Sequence, residues 1–290
     1  MLVWGFNFVA VKLLLLEMSA SAATLIRWGI MSICLVGVCL ATKTSLRYPP
    51  GLFWRINLQG FVAMGLYMVC FVGGMATSTA AEGAIILGCS PVLTLLLAAI
   101  AGQEPFKWTT LRPTLVAFVG VALVVSFSPS TGTGTHSSLF GHVLLLVSAV
   151  LWALSAVLSR PLVHKVEPLR MLVLSMPGGL VALLPFGWHD VSRFDWAHFS
   201  PLGWAMLFYM AVVAGAVGFV LFYLGVKQVG APGAMLYQYL VSPIATLSSI
   251  VVLHVGLHPI QLVGLVVVLT GVTLANIARQ NIQPVTQAVE

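Results

Sequence analysis

Charge is what this sequence has least of. Only 7% of its 290 residues are Asp, Glu, Lys or Arg, against 60% hydrophobic residues and a mean hydropathy of +1.06. A soluble domain carries roughly a quarter charged residues, so this chain cannot cover a water-facing surface. The net charge of +6 comes from singly scattered Lys and Arg. No basic stripe forms, which excludes nucleic acid as a partner. Cysteine is also scarce. Cys34, Cys39, Cys70 and Cys89 all lie in apolar runs, none at metal-ligand spacing from a histidine or another cysteine. They read as small core residues, and neither a metal nor a cofactor is expected. Enzyme chemistry lacks its parts as well: there is no intraspan Asp/His pair and no Ser/His/Asp set. His254 and His258 have i, i+4 spacing, but Pro259 follows at a span end and makes a loop the better reading. None of the seven acidic residues falls in the middle of a span, so proton coupling through a membrane-buried carboxylate is not expected.

What the chain does have is long apolar runs. A membrane crossing takes about 20 such residues, and runs bounded by turn and charge signals give about ten spans. They cover Met1 to Leu16, Ala20 to Thr42, Phe53 to Ala76, Glu82 to Ile100 and Leu111 to Phe127. After a Gly/Ser/Thr-rich linker follow Leu139 to Leu162, Pro168 to Trp188, Leu202 to Val226, Pro232 to Val255 and Pro259 to Ala278. The first run is followed by small residues, Ser19-Ala20-Ser21-Ala22-Ala23, that resemble a signal-peptide cleavage site. It has no basic segment before it and holds Lys12 within it, so a retained helix is expected.

The two halves repeat. Trp4 to Lys12 aligns with Trp152 to Arg160 (152 − 4 = 148), and Phe71-x-x-Gly74 with Phe222-x-x-Gly225 (222 − 71 = 151). Ser90-Pro91-x-x-Thr94 aligns with Ser242-Pro243-x-x-Thr246 (242 − 90 = 152), and Gly120-Val121 with Gly271-Val272 (271 − 120 = 151). Each match alone is weak; four in order at nearly one offset are not. A unit of five crossings places its second copy upside down, the inverted-repeat plan of secondary transporters, with the substrate site near the midplane. With the N-terminus cytoplasmic, Lys43, Arg47, Arg55, Lys107, Arg112, Arg160, Lys165, Arg170, Lys227 and Arg279 face the cytoplasm, and only Lys12, Arg27 and Arg193 the outside. That ten-to-three split is what the positive-inside rule expects, with both termini inside. Trp4 has far fewer apolar residues before it than Trp152, so about ten further N-terminal residues are expected upstream of this sequence.

Polar and aromatic groups at mid-span are the candidates for lining a substrate cavity. Tyr67 and Trp152 are such positions in spans three and six. Tyr237, Gln238 and Tyr239 lie in span nine, Ser90 in span four, and Asn7 and Ser155 are repeat-equivalent positions in spans one and six. Such faces suit a ring-bearing or apolar amino acid. Trp54, Trp108, Trp188, Trp196 and Trp204 lie near span ends and read as interfacial anchors. Pro91 and Pro243 free the carbonyls of Leu87 and Tyr239 and mark paired kinks about which spans four and nine rock. Gly73-Gly74, Gly178-Gly179 and Gly215-x-x-Gly218 read as close helix contacts. Arg27, toward the outer half of span two, is expected to snorkel outward, within reach of Glu17 or Glu82.

Trp4-Gly5-x-Asn7-Phe8-x-x-x-Lys12, Arg27-Trp28, Ser90-Pro91 and Gly102-Gln103-Glu104 resemble the drug/metabolite transporter superfamily, EamA type. Within it the span lengths and tryptophan placement look most like the YddG-type aromatic amino-acid exporters. Gln103 interrupts the family's Gly-Glu ending of span four, and the second half has His254-Val255-Gly256 in place of that glutamate. The resemblance implies an all-α membrane protein of ten helices around a central cavity. It divides the chain into one five-helix repeat over 1–127, a linker over 128–138, a second repeat over 139–279 and a cytoplasmic tail over 280–290. The implied activity is export of amino acids or related metabolites across the bacterial inner membrane; drugs are the alternative cargo, and a channel or membrane enzyme the alternative class. The substrate is a small molecule and the surroundings a lipid bilayer.

Overall fold

A computed structural model describes residues 1–75, 77–78, 80–127, 139–253 and 258–280. The expected linker over 128–138, the His254-Val255-Gly256 motif and the tail beyond Gln280 lie outside the described residues. Those residues are helical throughout, with no strand among them. In order they form α1 (Leu2–Leu14), α2 (Ala20–Ala41), α3 (Phe53–Met75), α4 (Ala80–Leu87), α5 (Ser90–Ile100), α6 (Trp108–Ser126), α7 (Leu139–Val163) and α8 (Pro168–Ser192). Next comes α9, built from Pro201–Phe208, Tyr209–Val217 and Gly218–Leu236, and then α10 (Val241–Leu253) and α11 (Pro259–Gln280). Helix starts follow local chemistry. Ser200 Oγ accepts from the Gly203 N–H at 2.9 Å, and Pro168 and Pro201 occupy first turns, where the missing N–H costs nothing.

Seven helical stretches are long and apolar enough to cross a membrane: α2, α3, α6, α7, α8, α11 and the continuous run Pro201–Ala245. The sequence reading expects three more (10 − 7 = 3), and each falls on an identifiable irregularity. One is α1, which is only 13 residues long. The second is the α4–α5 pair, where the chain turns at 88–89 before Pro91 restarts the helix. The third lies inside Pro201–Ala245, whose 45 residues would stretch about 68 Å as one rod, twice the hydrocarbon core. Its backbone leaves the helix at Gly230 (φ 76°, ψ 168°), so it is not one rod.

The irregularities come in pairs. Helix α3 is π-wound over Phe61–Leu66 and α9 over Tyr209–Val217, an offset of 209 − 61 = 148. The break at 88–89 has its partner in the 3₁₀ turn Tyr237–Leu240 ahead of Pro243, so both expected prolines sit just after a distortion. The repeat-equivalent glycines Gly120 and Gly271 each press on the other's helix. A Cβ on Gly120 would lie 2.6 Å from Val268 N, and one on Gly271 would collide with the Ala117 backbone. Lipid tails supply no hydrophobic drive between helices, so this close α6–α11 contact rests on packing of small residues.

Candidate functional site

The largest buried cluster is aromatic at its centre and draws on both halves of the chain. Trp152 on α7 is sandwiched between two stacked rings, Tyr67 of α3 at 5.1 Å (30°) and Phe222 of α9 at 5.2 Å (25°). Phe219 meets its edge at 5.9 Å, and Trp4 of α1 closes in at 6.1 Å while touching Phe219 and Phe222 at 5.6 Å each. Phe71 extends the stack behind Tyr67 at 5.9 Å. The two tryptophans of the sequence repeat therefore face each other. Each indole N–H is used: Trp152 Nε1 donates to Gln238 Oε1 at 2.8 Å, and Trp4 Nε1 to the Ala214 carbonyl at 2.9 Å, inside the π-wound stretch of α9. Gly218 leaves the space that the Trp4 indole occupies.

Among the expected site residues, Tyr67, Trp152 and Gln238 are brought together here. Ser155 is buried and its hydroxyl donates to the Trp152 carbonyl at 2.7 Å, one turn back on its own helix. Tyr239 packs elsewhere, with Ala117, Val121, Val268 and Val272 between α6 and α11, and Tyr237 lies half-buried against that same group. Asn7 Oδ1, Ser90 Oγ and Tyr239 OH are buried without a hydrogen-bond partner among the described residues. Such groups are costly unless something satisfies them at some stage. Pro91 and Pro243 are both buried. Trp4, Phe219 and Phe222 are cluster members that the sequence reading did not single out; Trp4's place as the repeat mate of Trp152 is the signal that could have found it. Arg27 departs from expectation. Its guanidinium turns inward, with Nη2 4.0 Å from Met68 Sδ and the charge within electrostatic reach of Tyr67. Snorkelling is favoured only where a side chain has lipid and water within reach, and α2 presents this residue to α3 instead.

Below the cluster, one carboxylate ties four segments together. Glu104, after α5, takes Arg279 Nη2 on Oε1 and Arg279 Nη1 on Oε2, both at 3.0 Å, and Arg160 Nη1 at 3.4 Å. Arg160 also donates to the Gln103 carbonyl at 2.7 Å, and Arg279 to the Val229 carbonyl at 2.9 Å. Gly230 is the only residue type that fits between: its φ of 76° suits glycine, and a Cβ there would collide with Glu104 Oε1. At the opposite end the ties are hydrogen bonds. Glu17 accepts from the Ser200 hydroxyl at 2.6 Å and from its N–H at 3.0 Å, and these hold its carboxyl below the usual range. Ser19 donates to Asp190 at 2.9 Å, and Ser21 donates to it as well. An open pocket of about 540 Å³ lies at this end, lined by Glu17, Ser19, Asp190, Arg193, Asp195 and His198 among others. The aromatic cluster itself is filled by its own rings.

A bundle of long apolar helices with an aromatic centre and polar ties at each end is a membrane architecture, and the sequence matches a known one. The model of the EamA-like transporter family matches residues 1–126 and 139–277. The chain belongs to that family. As an EamA-like protein it is a multi-pass membrane transporter. An uncharacterised transporter, YetK of Bacillus subtilis, is 25% identical over 77% of this chain and 68% of its own. A protein named "Probable terminal-alkyne amino-acid exporter" of Streptantibioticus cattleyicolor is 26% identical over 94% of this chain and 89% of its own. One named "Probable amino-acid metabolite efflux pump" of Escherichia coli is 22% identical over 93% and 89%. A solved crystal structure, 14% identical, superposes with a TM-score of 0.78 over 97% of this chain and 95% of its own, so the EamA-like fold seen here is one already observed.

Proposed function

We propose that this EamA-like chain exports amino acids with ring-bearing or apolar side chains by alternating access. The observation that carries the reading is the Tyr67–Trp152–Phe222 stack with the Trp152–Gln238 hydrogen bond. Flat rings with one polar tether accept a flat or greasy side chain and hold it in one orientation. The stack draws on α1, α3, α7 and α9, so motion between the halves opens or closes it. Ten crossings in two inverted halves, with both termini cytoplasmic, fit the repeat offset, the paired π stretches (209 − 61 = 148) and the basic-residue split. In that orientation Glu104 closes the cytoplasmic end of a bacterial inner-membrane protein. The names of the two amino-acid exporting relatives support the substrate class.

Counterflow in proteoliposomes tests this with labelled phenylalanine, tryptophan, leucine and a cationic drug. Saturable exchange of the amino acids is expected, reduced about two- to twelve-fold by Trp152→Ala and by Tyr67→Ala, given that a stacked ring is worth about 0.5–1.5 kcal/mol beyond the area it buries. Equal flux in both variants on every substrate would remove the aromatic stack as the binding site. Flux of the drug alone would move the chain to another branch of the family's substrates.

A further inference from the structure

A charge within a membrane span is expensive, and one kept there faces protein or a watery path and marks a ligand route. Arg27 is such a charge. It lies seven residues into α2 (27 − 20 = 7), about 10 Å from the helix start at 1.5 Å per residue. Its neighbours Leu25, Trp28 and Met31 are buried in the central cluster, while Arg27 itself stays half-buried. Among the described residues no carboxylate lies within ion-pair distance of it. Its nearest polar contact is the Met68 thioether at 4.0 Å, a weak acceptor at a long distance. Beside it, Trp28 Nε1 is buried without a partner, against Gly179 of α8. Among the described residues, then, the cation meets a soft thioether and no acceptor carrying negative charge.

The neighbouring side chains say what would fill that lack. Met68, which Arg27 meets, is the residue next to Tyr67 on α3, and Tyr67 stacks on Trp152 at 5.1 Å. Cation, ring and ring stand in sequence. The planar guanidinium fork matches a carboxylate with two parallel N–H donors. We propose that Arg27 binds the carboxylate of the transported amino acid, with the substrate side chain set against the Tyr67–Trp152 pair. This rests on the amino-acid reading above and deepens it: the site selects α-carboxylates over their amides and over decarboxylated amines. An anion here pairs with Arg27 where no carboxylate of the described residues does, so loaded and empty proteins differ most at α2 and α3.

The test compares phenylalanine, phenylalaninamide and phenethylamine in proteoliposomes holding the unaltered chain, Arg27→Gln or Arg27→Lys. A charge-assisted pair of this kind sets the expected scale at roughly ten- to hundred-fold. Arg27→Gln should raise KM for phenylalanine by that factor and leave phenylalaninamide within about two-fold; Arg27→Lys should restore part of the difference. An unchanged phenylalanine KM in Arg27→Gln, or an equal loss for acid and amide in a monodisperse variant, would overturn the assignment while leaving amino-acid export standing. If the unaltered chain carries none of the three, the amino-acid reading itself has failed and the assignment goes with it.

Discussion

The two ends of the bundle are fastened by different chemistry. At the Glu104 end, a carboxylate about one-fifth exposed meets two arginines, one of them Arg279 at 8% side-chain exposure. At the Glu17 end, Glu17 on an exposed turn and Asp190 near the end of α8 accept hydrogen bonds from serines, beside an open pocket. A partly desolvated ion cluster is hard to break piecemeal, because removing one member strands the others. Exposed hydrogen bonds exchange readily with water and cost little to release. The Glu104 end is thus the more firmly tied of the two, and the ties at the Glu17 end are the cheaper to release.

Glu104→Ala is expected to break that contrast most. It leaves Arg279 and Arg160 without their shared carboxylate, at a cost on the order of 2–3 kcal/mol. Thermal unfolding of the detergent-solubilised protein should show it, and cysteine-accessibility probes should find the Glu104 end open more often; an unshifted melt would mean the cluster is solvated in practice. Gly230→Ala comes next. It keeps every charge but forces an alanine into a backbone region that only glycine occupies well, for about 1–3 kcal/mol, and pushes on Glu104. If Gly230→Ala melted like the parent, the turn would have relaxed and the steric link to Glu104 would be lost as an explanation. Glu17→Gln should have the smallest effect. Because the folded carboxyl titrates below its ordinary range, its stabilising contribution is complete above that range and is lost as pH falls through the lower folded value. The melting curves of parent and Glu17→Gln should therefore converge below about pH 4, and a gap that widened on acidification would reverse the sign.

How much of this could be read in advance follows from what a lipid-facing sequence can record. Span limits were legible because they depend on where apolar runs stop: the expected Pro168 to Trp188 and Leu139 to Leu162 differ from the observed helices only at their C-termini, by one turn or less. The tryptophan and glycine matches were read only as signs of a repeat, and the structure adds that Trp4 lies against Trp152 and the Gly120 helix against the Gly271 helix. Which way a side chain turns was not legible. In a soluble helix the polar face points out, but here lipid and core are equally apolar, so periodicity does not separate them. That is why Arg27 was expected to point outward and Tyr239 inward to the cavity, whereas Arg27 turns to Met68 of α3 and Tyr239 packs between α6 and α11. The Glu104 cluster was hidden for another reason. Its partners lie 56 and 175 residues away, and only the fold brings them together.

The paired π stretches have a consequence for the rings. Tyr67 is the first residue after Phe61–Leu66, and Phe219 is the second after Tyr209–Val217. A π turn holds more residues than the 3.6 of an α turn, so each joint between the two geometries resets the direction in which the helix beyond it faces. Both aromatic faces stand just past such a joint, one in each half of the chain. The facing of Tyr67 and Phe219 toward the tryptophan pair is thus set by how tightly the backbone just before each of them is wound.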